Sequence, residues 1–109
     1  MMKVFSAYRS GRLTVSLQGE LDHHEVKQSM SAVERLLDEY LPRSCILDLS
    51  NLRFMDSSGI ALILKLHRMM GNFGGTLQVE NAVGQPLRVI DTAGIDRMVA
   101  VTGKEEAAK

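Results

Sequence analysis

Residues 56–59 read Asp-Ser-Ser-Gly: one carboxylate, two adjacent hydroxyls and a residue with no side chain. A serine hydroxyl becomes a nucleophile when a base takes its proton. It becomes a phosphate acceptor when a kinase can reach it. It caps a helix when unpaired backbone N–H groups lie just beyond it. The next residues, "IALILKLHRMM" (60–70), form an apolar run of helical length. Asp56 and Ser58 are therefore suited to bond the orphan N–H groups of a first turn. A helix N-terminus also favours an added anion, so a phosphate there need not unfold the chain. Catalysis needs a base held by an orienting group. His67 lies more than two turns along the same helix, and His23 and His24 reach the serines only through the fold. His23-His24 has too few nearby partners to argue a metal site, and a Gly-rich phosphate loop is absent. No metal and no cofactor is expected.

Several elements must position this segment. "KVFSAYR" (3–9) and "RLTVSLQG" (12–19) flank Ser10-Gly11, and Leu13, Val15 and Leu17 alternate with polar residues. This pattern predicts a hairpin with a tight turn. "GELD" (19–22) is expected to stop the sheet, with Asp22 as N-cap and Glu25 completing a capping-box variant. Val26, Met30, Val33 and Leu37 mark one face of an amphipathic helix, which Pro42 ends. "CILDLS" (45–50) reads as a central strand covered on both faces. The helix from about Ser57 to about Asn72 carries two apolar sides: Ile60, Ile63, Leu64, His67 and Met70, and Leu62, Leu66, Met69 and Phe73. An apolar side left outside marks an interaction surface; burial of both sides is the alternative. Gly71 and Gly74-Gly75 are stop signals, "TLQVEN" (76–81) is a strand, Pro86 opens a third helix that Gly94 ends, and "MVAV" (98–101) is a last strand. The predicted order is β-β-α-β-α-β-α-β: a single α/β domain with a mixed, mostly parallel sheet of about five strands and three to four helices.

The chain has 109 residues, 45% apolar and 24% charged, which suits one globular domain. Formal net charge is zero, so neither nucleic acid nor an anionic membrane is expected as the main partner. "MMKVFSAYRSG" holds no apolar run of signal-peptide length, and no segment could span a bilayer. A lone cysteine, Cys45, excludes an internal disulfide and a cysteine-based metal cluster. A cytoplasmic protein is expected. Seven methionines must help fill a core that has no tryptophan.

"GELDHH" (19–24), "FMDSSG" (54–59), "GG" (74–75) and "RVIDTAGI" (88–95) together resemble the anti-sigma-factor antagonists of the STAS family, most of all those acting on sigma factor F in sporulation. The resemblance covers nearly the whole chain; the STAS domain is expected over 1–103, with a polar tail at 104–109. It implies that Ser57 is the phosphoacceptor, with Ser58 the alternative. The implied partner is an anti-sigma factor that is also an ATP-using serine kinase. The unphosphorylated antagonist binds it and frees the sigma factor, phosphorylation breaks the complex, and a serine phosphatase resets the cycle. The chain itself would be no enzyme. Residues expected to meet the partner are Asp22, Asp56, Ser58, Gly59, Leu62, Leu66 and Met69. Three rival readings are weaker. A helper subunit of a phospholipid-transport ATPase keeps the fold but needs no phosphorylation. A receiver-like phosphoacceptor at Asp48 lacks the acidic pair and the lysine it requires. A small serine hydrolase lacks its triad.

Overall fold

A computed structural model describes residues 2–103 of the chain. Strand β1 (Met2–Arg9) and strand β2 (Arg12–Leu21) form an antiparallel hairpin. Ser10 and Gly11 both have positive φ, 51° and 86°, as a two-residue mirror-image turn requires. Helix α1 (Val26–Tyr40), strand β3 (Ser44–Met55), helix α2 (Ser57–Asn72), strand β4 (Thr76–Ala82) and helix α3 (Gly84–Ala93) come next. A single 3-10 turn (Ile95–Arg97) then leads into strand β5 (Ala100–Gly103). The sheet order is β1-β2-β3-β4-β5, parallel everywhere except the hairpin. This is the predicted architecture. The reading of 104–109 as a polar tail lies outside the described residues.

From β2 onward the strands are laid down in sequential order, and crossovers that all step the same way, with the right-handed sense such connections take, place all three helices on one face of the sheet. Leu13, Val15, Leu17, Cys45, Leu47, Leu77 and Val79 point to that face and are buried. On the opposite face Phe5 is 51% exposed, Gln78 and Ala100 are exposed, and Asp48 is half-buried. Central strand β3 is thus covered by helices on one face, where the sequence suggested two. Asp48 has a structural task there. Its Oδ1 accepts from the Ser50 N–H at 3.0 Å and from Asn81 Nδ2 at 3.1 Å, tying β3 to the end of β4.

Other boundaries also moved. "GELD" does not stop the sheet: β2 runs to Leu21 and pairs in parallel with β3 as far as Leu21↔Met55. Two register shifts, at Ser16/Gln18 and Gly19/Glu20, absorb the twist, and Gly19 supplies a φ of 113°. β3 accordingly extends five residues past the predicted end at Ser50, a length its mixed polar sequence hides. The last strand begins two residues later than expected because Ile95–Arg97 forms the 3-10 turn.

Helix α2 is where the sequence was least decisive. Its buried residues are Gly59, Leu62, Ile63, Leu66 and Met70. Leu62 and Leu66, expected on a partner surface, have no exposed area, because the helix turns that side onto the sheet. Met69 is half-buried, with part of its side chain packed against the core. Lys65 Nζ meets Glu34 Oε2 of α1 at 2.8 Å on the outer rim. Among the described residues no helix is long and apolar enough to cross a membrane. Leu66→Ala should lower unfolding free energy by about 2–5 kcal/mol, the cost of an aliphatic side chain lost from a filled core, readable as a reduced urea midpoint at unchanged slope.

Candidate functional site

Ser57 is the first residue of α2 and is exposed. Three contacts fix its position. Asp56 is the N-cap residue, and its Oδ1 accepts the Ser58 N–H at 2.8 Å. The Asp56 N–H donates to the Leu21 carbonyl at 3.2 Å, joining the end of β3 to the end of β2. The Gly59 N–H donates to the Asp56 carbonyl at 2.9 Å, which closes the first turn. Gly59 lets α2 rest closely on Met55. A Cβ would sit 2.7 Å from Met55 Cε, the movable end of that side chain, and 3.1 Å from Met55 Cβ, so Met55 would have to shift to admit it.

The capping roles differ in part from expectation. Asp56 caps α2, whereas Ser58 is held through its backbone N–H and its hydroxyl caps nothing among the described residues. Asp22 does not cap α1 directly. Its Oδ1 accepts from the His24 and Glu25 N–H groups at 2.9 and 3.1 Å, stabilising a turn at residues 23–25, and Glu25 becomes the N-cap residue with no side-chain bond. Desolvation pushes the Asp22 carboxyl up. The backbone N–H groups of Glu25 and His24 and the charges of His24 and His23 outweigh it, and the group ends below its ordinary 3.8.

Asp22 and Asp56 directly succeed the paired residues Leu21 and Met55, so the strand pairing carries both carboxylates to one end of the sheet. His23 stands beside them. Its Nδ1 lies 4.0 Å from Asp56 Oδ2, and its ring stacks at a tilt on His24, with centroids 3.9 Å apart. The fold thus delivers a histidine to the aspartate and not to the Ser57 hydroxyl, which has no hydrogen-bond partner among the described residues. A nucleophile-and-base pair is not assembled. Cys45 is also chemically quiet, since burial pushes its thiol up to about 12.

On its other side Ser57 borders a groove of about 550 Å³ between α2 and α3. Phe54, Ile60, Val89 and Ala93 make it apolar, and Phe54 is 40% exposed. Arg88 supplies the one cation of its lining.

The STAS domain family model matches residues 6–108. The chain belongs to the STAS family. An anti-sigma F factor antagonist of Paenibacillus polymyxa is 28% identical over 104 residues, covering 95% of this chain and 89% of that protein. The anti-sigma factor antagonist SpoIIAA in its unphosphorylated form superposes with a TM-score of 0.78 at 25% identity, over 97% of this chain and 93% of that one. The Bacillus cell fate determinant SpoIIAA in the phosphorylated form superposes with a TM-score of 0.70 at 25% identity, over 97% and 96%.

Within this STAS domain, two site residues escaped sequence reasoning. Gln85 reaches back from the first turn of α3. Its Oε1 accepts the Met55 N–H and its Nε2 donates to the Met55 carbonyl, both at 2.9 Å. β4 stops pairing with β3 at Asp48↔Glu80, so the Gln85 amide takes the place of a neighbouring strand beside the residue that precedes Asp56. Arg88, one turn along α3, opens the motif "RVIDTAGI", but its place on the groove beside Ser57 was not readable there. Local sequence carries no signal for a contact thirty residues away. Gln85→Ala should leave two backbone groups of Met55 unpaired, lower stability by about 1–2 kcal/mol, and speed hydrogen exchange of the Met55 amide while β1 amides keep their protection.

Proposed function

We propose that this protein is an anti-sigma-factor antagonist whose binding is switched by phosphorylation of Ser57. In its unphosphorylated form it binds an anti-sigma factor that is also a serine kinase, and the sigma factor is released. The kinase ends the complex: Ser57 Oγ attacks the γ-phosphorus of ATP, the bond to the β–γ bridging oxygen breaks, ADP leaves, and the hydroxyl proton passes to a base of the kinase or to water. A serine phosphatase restores the hydroxyl. This reading places the protein in the cytoplasm, as a positive regulator of sporulation transcription. The chain is then a substrate and a binding partner and performs no chemistry of its own.

One observation carries the proposal. An exposed serine hydroxyl, unbonded among the described residues, opens a helix whose inner side is buried, beside the Asp56 carboxylate and an apolar groove and at the end of the sheet that also carries Asp22. The likeness to SpoIIAA, solved both with and without phosphate, supports it. A phosphate brings roughly −1.5 to −2 charges at pH 7. Asp56 and Asp22 already make that end of the sheet acidic. On the free domain, water screens the added charge and the start of α2 favours it. In a dry interface the same crowding costs several kcal/mol, so the complex suffers far more than the fold.

Intact-mass measurement after incubation with the cognate kinase and ATP should show one added phosphate, and peptide mapping should place it on Ser57. Phosphate found on Ser58 would move the site by one residue. Ser57→Ala should bind the kinase and remain bound when ATP is added. Phosphorylated protein should bind at least roughly a hundredfold more weakly, or about 3 kcal/mol, with Ser57→Asp intermediate because it carries only about one charge. Full affinity of the phosphorylated protein in a calorimetric titration would sink the switch.

A further inference from the structure

Arg88 is exposed and has no ion-pair partner among the described residues. Its position is nonetheless set closely. Gln85, three residues earlier, is clamped to Met55 through two bonds of 2.9 Å. Residues 85, 88, 89 and 92 share one face of α3, and one turn of helix rises about 5.4 Å. The same groove that takes Gln85, Val89 and Thr92 from α3 takes Asp56, Ser57 and Ile60 from the start of α2. Ser57 and Arg88 are therefore polar residues from two different helices that line one largely apolar cleft, with Met55 between them in its lining.

Resting on the reading that Ser57 carries phosphate, we propose that Arg88 is the receptor for that phosphate. The modified side chain turns into the α2–α3 groove and forms a charge-assisted pair with the Arg88 guanidinium, whose planar fork matches two phosphate oxygens. The charged groups facing the phosphate are then Asp56 on its own turn, Asp22 and His23 from the segment after β2, and Arg88 from α3. Two carboxylates repel it and one guanidinium holds it. The pair would close the mouth of the groove, so release of a partner would come from occlusion as well as repulsion. It would also leave the fold intact, because the added charge meets a cation already in place.

The experiment uses the full chain with phosphoserine installed at position 57 during translation, so that it does not depend on any kinase. Phosphorus NMR titration is run on this protein and on its Arg88→Gln counterpart. The second ionisation of the phosphate should lie lower with arginine at 88 than with glutamine by about half a unit or more, and Arg88→Lys should recover part of that difference. Equal titration curves for the arginine and glutamine proteins would overturn the proposal. If Arg88→Gln does not fold, the Arg88 Nε–H resonance of the otherwise unaltered chain decides: it should shift on phosphorylation, and an unmoved resonance counts against the contact. A kinase that leaves Ser57 unmodified, seen by intact mass, would sink the phosphoacceptor reading separately, since the installed phosphoserine reports on Arg88 either way.

Discussion

The carboxyl ends of β2 and β3 are held side by side by a short set of backbone contacts, and the site depends on them. Leu21 pairs with Met55, the Leu21 carbonyl accepts the Asp56 N–H, and Gln85 binds both backbone groups of Met55 from the other side. These bonds leave Asp56 little freedom at the point where the chain turns from strand to helix. Its carboxylate then captures the Ser58 N–H, and the first turn of α2 forms with Ser57 outward. Gly59 allows that turn to rest on Met55 with no Cβ between them. The exposure of Ser57 is thus a consequence of strand pairing and close packing beneath it.

The electrostatics of the site arise from the same pairing. Parallel strands in register bring the residues just beyond them to the same height, so Asp22 and Asp56 come together although 34 positions separate them. Each carboxylate is oriented by backbone N–H donors, Asp22 by those of His24 and Glu25 and Asp56 by that of Ser58. The Ser57 hydroxyl beside Asp56 is neutral, which on the proposed reading suits a partner surface. The same position with a phosphate is strongly anionic. On the proposed reading, such a switch needs little movement, because the charge would change where a partner has to exclude water.

All three helices lie on one face because each crossover steps in the same direction across the sheet. This arrangement spends the apolar content of α2 on the interior: Leu62, Leu66 and Met70 fill the space above β3 and β4. The outward surface near Ser57 is instead composed of pieces from β3, α2 and α3, with Phe54, Ile60 and Val89 as its apolar part. No one segment holds it, and it exists only when the helices are seated.

The sequence by itself determined the alternation of strands and helices, the hairpin turn at Ser10-Gly11, the cap at Asp56 and the stop at Gly94. Each is a local matter of period, φ preference or side-chain reach, settled within a few residues. It also marked Ser57 as a hydroxyl at a helix start, and the family resemblance gave that hydroxyl a role. Which side of α2 faces inward was not legible. A helix apolar on two sides offers the sheet either one, and the choice fell to β3, β4 and the neighbouring helices. The true length of β3 was hidden as well, since "NLRFM" (51–55) is strand only because β2 lies beside it. Gln85 gave no signal, and Arg88, although it opens the family motif "RVIDTAGI", gave none of the groove it lines. Their meeting with Met55 and the Ser57 groove is set by the docking of α3, and contacts across thirty residues are fixed by tertiary packing, not by local propensity.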